Sequence, residues 1–282
     1  MLKDKDIKIL VGIWVVGTLL AVLCGWLTLA FYTPGTAYAA PTPQDATTWW
    51  LFQPATTIAE LVRQNTAWTC VVILPFLFAP IMTLLFIIVR FSEKNSPRAA
   101  NYHEHLPLEI FWTIVPAVVL VAMAVPAYRV LRYMEKPPAK PDVVVDITGA
   151  QFFWKYSLPE FDVLMTDDGT GTDPLVLPID NTVLLAGSSS QVNHAWWVPA
   201  FGVKFDVIPG RITTSWIKTT KEGFFKGQCA ELCGELHAYM LIHVKVVPEK
   251  EYYQWLQSKG AKFRPEHAQK VAKYLGNETP KS

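Results

Sequence analysis

Charge is what this sequence has least of. Only 17% of its 282 residues are Asp, Glu, Lys or Arg, where soluble domains carry about 25%. Combined with a hydrophobic share of 51%, that scarcity excludes a disordered chain and points to membrane segments. Neither sign of charge is in excess: 25 Lys and Arg stand against 24 Asp and Glu, for a net charge of +1. A nucleic-acid binder would carry a basic excess, so that class is set aside. Cysteine is also scarce, with four residues, Cys24, Cys70, Cys229 and Cys233. Four are too few for a disulfide framework in a chain of this length. No Cys-x-x-Cys-His string occurs, which excludes a covalently attached c-type haem. The length allows one to two domains.

What is present begins with three apolar runs. The first, Leu10 to Tyr32, follows Lys3, Lys5 and Lys8 and precedes Ala37-Tyr38-Ala39. Basic residues, an apolar stretch and a small-x-small tripeptide read as an export signal cut near Ala39 or Ala40. An uncleaved membrane helix is the plainer alternative, because the run is long for a signal core. Residues 1–40 are therefore expected to be a signal peptide or first membrane segment, and 41–66 an exported N-terminal segment. The second run is Ala67 to Val89 and the third Ile110 to Tyr128. Each is long enough to cross a hydrocarbon core of about 30 Å. Pro75, Pro80, Pro116 and Pro126 would break soluble helices but are tolerated in membrane ones. Residues 67–130 thus read as a transmembrane helical hairpin. Basic residues flank both sides of it, so the positive-inside rule does not decide its orientation. The export signal does, and it places everything from Leu131 onward outside. The expected location is a bacterial-type inner (plasma) membrane, multi-pass, with the following domain on the periplasmic or outer side.

From Asp142 the texture changes to short β-branched runs: Val143 to Thr148, Gln151 to Tyr156, Leu175 to Pro178, Thr182 to Ala186, Val203 to Ile208, Ile212 to Thr219 and Leu241 to Val247. Gly169-Thr170-Gly171 and Pro209-Gly210 punctuate them. Regular short strands with turn signals predict an all-β sandwich or barrel over 131–248. Glu249 to Lys259 reads as a short helix and the rest of 249–282 as a polar tail.

One string in this region carries chemistry. Gly227-Gln228-Cys229-Ala230-Glu231-Leu232-Cys233-Gly234-Glu235-Leu236-His237-Ala238-Tyr239-Met240 puts two thiols, an imidazole and a thioether within one loop. Thiolate, imidazole and thioether together suit copper, whereas carboxylate-rich sets suit harder ions. His194, placed between strands, is the best candidate for a second imidazole. An exported Cys pair is often a disulfide, and a lone His or Met is more often packing than ligand. Jointly, the order and spacing favour copper.

Cys-x3-Cys-x3-His-x2-Met with an upstream His resembles the binuclear CuA site of subunit II of the haem-copper cytochrome c oxidases. The resemblance extends over roughly residues 50 to 258 and includes His105-Leu106-Pro107-Leu108-Glu109-Ile110-Phe111-Trp112, Pro199-Ala200-Phe201-Gly202-Val203-Lys204-Phe205-Asp206 and Ile208-Pro209-Gly210-Arg211. It implies a membrane α-helical hairpin followed by an all-β cupredoxin-like Greek-key sandwich. It implies that Cys229 and Cys233 bridge two coppers, with His194 and His237 as terminal imidazoles. Met240 and the Glu231 carbonyl would be weak ligands, and the Glu231 carboxylate would help hold Mg²⁺ at the boundary with subunit I. Glu109 matches the carboxylate at a proton entrance; its plainer reading is a helix-end carboxylate. His103, His105, His243 and His267 match no ligand position and are taken as structural.

The same resemblance implies partners. They are subunit I, which carries the haems, subunit III, and cytochrome c or a similar small electron carrier. The expected reaction is electron delivery for O2 reduction to water coupled to proton pumping. The alternatives are the CuA electron-entry subunit of a nitric oxide reductase, or an oxidase fed by a non-cytochrome carrier. Two departures concern the donor. Gln151-Phe152-Phe153-Trp154 stands where Trp-Tyr-Trp is usual, so Phe152, with Trp154 beside it, takes the electron-entry position. Ser190 and Gln191 replace acids usual before the upstream His. Docking would then use the aromatics Phe152, Phe153, Trp196 and Trp197, or the acids Glu160, Asp162, Asp167, Asp168, Asp173 and Asp180.

Overall fold

The structure, a computed structural model, describes Gly12 and residues 53–96, 98, 103–137 and 140–276. The first apolar run apart from Gly12, its cleavage site and all of 41–52 lie outside the described residues. Cα packing divides the chain into two units, with 64–129 in the first and 37–63 with 130–282 in the second.

Two long apolar helices lie mostly in the first unit; residues 57–63 of the first helix and 130–135 of the second belong to the second unit. Helix α1 spans Thr57–Arg90 and α2 spans Leu106–Glu135. Both are long and apolar enough to cross a membrane. Pro75 and Pro80 sit inside α1, and Pro116 and Pro126 inside α2. Along α2 no side chain is buried. Apolar residues such as Val89 (70% exposed) and Val121 (68%) face outward. These surfaces need lipid or another chain to cover them. Helix α1 begins ahead of the apolar run because Thr56 caps it. The Thr56 hydroxyl accepts the Ala59 N–H at 3.0 Å and donates to the Phe201 carbonyl at 2.7 Å. That close approach needs Gly202, whose φ is +70°. A Cβ there would lie 2.5 Å from the Ala59 Cα.

The second unit is built on two five-stranded sheets. The strands are β1 (Val143–Ala150), β2 (Phe153–Leu158), β3 (Val163–Asp167), β4 (Leu175–Pro178), β5 (Thr182–Ser189), β6 (His194–Val198), β7 (Val203–Val207), β8 (Thr213–Lys218), β9 (Gly223–Cys229) and β10 (Leu241–Val247). One sheet has the order β3-β2-β1-β5-β8 and the other β4-β10-β9-β6-β7. Two pairs, β1 with β5 and β10 with β4, are parallel. They form without a crossover helix because the chain leaves one sheet, runs in the other and returns. Period-two patterning drives each strand: in β7, Val203, Phe205 and Val207 point inward while Lys204 and Asp206 point out. Inner faces of both sheets feed one core around Trp154, Trp196, Trp216, Tyr156 and Phe201. Burial of each Val, Leu, Ile or Phe there contributes about 1.5–3 kcal/mol.

Three features depart from the pattern reading. His194 is the first residue of β6 and not between strands, because the following Ala195, Trp196 and Val198 are all core residues. Strand β3 is an addition: burial alternates along it, but the residue types at two positions run against that alternation, with Leu164 exposed (73%) and Asp167 buried. The C-terminal region is not a free tail. Helix α3 (Glu249–Ser258) is followed by α4 (Ala268–Leu275). Helix α4 buries Val271, stacks Tyr274 on Tyr253 and donates the Tyr274 hydroxyl to Glu249 at 2.8 Å. An apolar stripe in α4 (Val271, Tyr274, Leu275) outweighs the polar average of the segment.

Candidate metal centre

The loop between β9 and β10 gathers the soft donors at one end of the second sheet. Cys229 closes β9, and its N–H donates to the Met240 carbonyl at 2.9 Å, so the ladder between β9 and β10 pinches both ends of the loop together. Cys233 and Met240 turn inward and are buried, while Leu232, Leu236 and Tyr239 face out. His194 enters from β6, whose Trp196 lies opposite Cys229 in the ladder. Gly149 on β1 leaves room for that ring, since a Cβ there would sit 2.7 Å from the His194 Cδ2.

The donor atoms face one another. Cys229 Sγ lies 3.7 Å from His194 Nδ1, 3.9 Å from Cys233 Sγ and 3.3 Å from the Glu231 carbonyl oxygen. Cys233 Sγ lies 3.5 Å from His237 Nδ1 and 3.9 Å from Met240 Sδ. Both thiols are free. The His194, Cys229 and Cys233 ligand atoms all fall within 4.8 Å of one another. Burial, and then the neighbouring Cys229, push the Cys233 thiol up to about 12. Burial, and then His237, lower the His194 imidazole below its ordinary value, which leaves a neutral ligand. The His194 Nε2 is buried without a hydrogen-bond partner among the described residues.

This cluster fits a soft metal. Thiols, imidazoles and a thioether packed at these distances make only weak hydrogen bonds with each other, and a metal would satisfy all of them at once. Six donors exceed the needs of one tetrahedral ion. Two soft ions would make use of all six donors.

The other expected site residues divide. Phe152 packs on the loop: a Cβ on Gly234 would meet its ring at 3.1 Å, and the neighbouring Gln151 side chain donates to the Cys233 carbonyl at 2.8 Å. Trp154 is fully buried and stands edge-on to His194, with ring centroids 5.8 Å apart. It therefore supports the His194 ring and offers no docking surface. Trp196 is likewise buried and donates to the Tyr156 hydroxyl at 3.2 Å, so only Phe152, Phe153 and Trp197 keep exposed area. The Glu231 side chain points to solvent. Glu109 lies in the first turn of α2, where its carboxylate accepts the His105 N–H at 3.1 Å.

The acidic segment is far from a uniform patch. Asp167 is buried against His243, Asp162 pairs with Lys262 and Asp173 with Lys259. Asp168 stays exposed, and its neighbour Gly169 abuts the Tyr239 carbonyl beside the ligand loop. Hydrogen bonds from Thr170 hold the Asp168 carboxyl below the usual carboxylate range. Sequence reading missed the burial of Asp167. The signal available was the alternation of Val163, Met165 and Asp167 on one face of β3.

Comparison with known proteins gives a consistent result. Residues 170–247 match the family described as cytochrome c oxidase subunit II, periplasmic domain, and residues 46–130 match its transmembrane domain. The chain is 35% identical to cytochrome c oxidase subunit 2 of Cereibacter sphaeroides over 75% of its own length and 81% of that protein's. It is 35% identical to a probable cytochrome c oxidase subunit 2 of Rickettsia bellii over 62% of this chain and 71% of the other. Among solved structures, the periplasmic domain of subunit II of cytochrome oxidase from Bradyrhizobium japonicum is 34% identical, covering 43% of this chain and 96% of that one, with a TM-score of 0.41.

Proposed function

The chain belongs to the cytochrome c oxidase subunit II family and is part of a haem-copper oxidase; from that premise we propose that it is the electron-entry subunit and holds a binuclear copper centre. The donor cluster carries this reading: two free thiols, two Nδ1 atoms, a thioether and a carbonyl oxygen converge at one buried end of the sandwich. Cys229 and Cys233 would bridge two coppers, with His194 and His237 terminal and Met240 and the Glu231 carbonyl weak. Held by these residues, a pair of coppers would supply a one-electron store. The protein's part is to hold the donors still. Cys229, His194 and Met240 are tied to β9, β6 and the start of β10, so none can relax toward another geometry.

Phe152 is the proposed entry point for an electron from cytochrome c or a similar small carrier. It has exposed area and lies beside Gly234, next to Cys233. From these residues electrons would pass to haems carried by subunit I, for O2 reduction to water coupled to proton pumping; subunit III would complete the assembly. The Glu231 carboxylate, directed away from the thiols, is available to a Mg²⁺ at the subunit I boundary. Glu109 is proposed to admit protons. Its hydrogen bond to the His105 N–H fixes the carboxylate at the start of α2. Both helices span the membrane in this reading, with residues 131–248 on the periplasmic side. The test is metal content and electron paramagnetic resonance on the purified oxidase. Two coppers in this chain sharing one electron support the proposal, and a single blue-copper signal contradicts it.

A further inference from the structure

We propose that Asp167 is a positioning residue for the Met240 arm of the metal centre, acting through His243 and the turn that follows it. The inference deepens the copper reading and rests on it.

Asp167 ends β3, at the edge of the first sheet, and His243 lies on β10 in the second. Both are buried, with 1% and 3% of their surfaces exposed. One Asp167 carboxylate oxygen accepts the His243 N–H at 2.8 Å. The other lies 3.2 Å from His243 Nδ1 and accepts the Gly169 N–H at 3.0 Å. The backbone bond has a reason: β4 pairs with β10 only as far as Leu175 opposite Val244, and His243 lies one residue beyond. Asp167 takes the N–H that the ladder leaves there. A buried carboxylate persists only with donors of this kind.

The same carboxylate shapes residues 168–171, which press on the ligand arm. Gly169, at φ +85°, is so close that a Cβ would lie 2.7 Å from the Tyr239 carbonyl oxygen and 3.6 Å from the Leu241 nitrogen. Gly171, at φ +76°, lies against the other side of the imidazole, where a Cβ would be 3.0 Å from His243 Cδ2. Tyr239 and Leu241 flank Met240. Met240 is fully buried, its carbonyl accepts the Cys229 N–H, and its sulfur lies 3.9 Å from Cys233 Sγ. One carboxylate therefore fixes the backbone just after Met240 and the turn packed beside it. Groups that orient a metal ligand are worth about tenfold or more in affinity or activity when removed. A mere link between the sheets would lower stability and leave the metal centre's electronic signature alone.

The experiment compares the purified oxidase carrying Asp167→Asn, His243→Gln and Met240→Leu with the parent. In Asp167→Asn an amide N–H₂ competes for the place where the His243 N–H needs an acceptor. His243→Gln keeps the backbone bond and removes only the ring contact. Asp167→Asn should move the copper midpoint potential in the same sense as Met240→Leu, by up to about tenfold in the reduction equilibrium constant, or about 59 mV for a one-electron couple. His243→Gln should move it less. In the metal-free chain, Cys233 should be alkylated faster in Asp167→Asn than in the parent, because Met240 covers it. Parent potential, spectrum and alkylation rate in both variants, with only a lower unfolding temperature, would overturn the proposal. If Asp167→Asn does not assemble, His243→Gln decides on the same readouts. If the parent chain holds no pair of coppers, the functional reading fails, and the alkylation rates still decide whether Asp167 grips the arm.

Discussion

The apolar helices and the β-sandwich use hydrophobic residues in opposite ways. In α2 nothing is buried, and Leu120 (65% exposed) and Val121 (68%) stand fully outward. In the sandwich, Trp154, Trp196 and Trp216 are each at most 1% exposed. The helices owe their form to backbone hydrogen bonds satisfied within each segment, and leave their surfaces to lipid or neighbouring subunits. A packed interior is what the sandwich has of its own, and only there can donor atoms be held at fixed separations. Sequence hydrophobicity thus marks both regions, but only packing tells which one can carry a metal site.

Four experiments probe that contrast. The largest effect is expected from Cys229→Ser, which removes a donor shared by both ions: the binuclear centre should be lost altogether, as copper content and the mixed-valence signal would report. Next is the core itself. Trp216 packs edge-on against Tyr133 and donates to the Met134 carbonyl at 3.0 Å, so Trp216→Ala should cost about 3–5 kcal/mol in chemical unfolding. Ile88, 60% exposed on α1, should cost less than about 0.5 kcal/mol as Ile88→Ala in the same detergent. Equal costs would erase the distinction between the regions.

Copper loading supplies a third probe. Because burial and Cys229 push the Cys233 thiol up to about 12, it is protonated at every physiological pH and must release its proton to bind. Apparent copper affinity of the metal-free chain should therefore rise with pH, by about tenfold per unit for that one proton. A chelator competition between pH 6 and pH 8, values chosen around neutrality at about two units' span, would show it; a flat profile would mean the thiol is already ionised. The smallest effect concerns docking. Asp168→Asn should slow reduction by a basic donor a few-fold at low salt and by nothing measurable at physiological salt, where the screening length is about 8 Å. A larger, salt-independent loss in Phe152→Ala would assign docking to the aromatic surface.

How much of this was legible without the structure differs residue by residue. Cys229, Cys233, His237 and Met240 announce themselves because they share one loop, and ligand chemistry restricts what that spacing can do. His194 was legible as a candidate donor but not as a strand residue, since Asn193 beside it reads as a turn. Asp167 was hidden in a run of six acids. Its partner His243 lies 76 positions away, and no local pattern pairs them. Trp154 and Trp196 looked like surface aromatics because a strand's two faces cannot be told apart until the sheets are stacked. Helix α4 escaped because its few apolar residues find their partners, such as Tyr253 for Tyr274, only in the folded chain.

The most direct test of the central claim is electron paramagnetic resonance of the copper-loaded chain in its purified oxidase, with Cys229 and Cys233 analysed for their oxidation state in the same sample. The account predicts two coppers in this chain, both thiols reduced, and one unpaired electron shared over both ions. A signal from a single copper, or a Cys229–Cys233 disulfide after copper reconstitution, would contradict it.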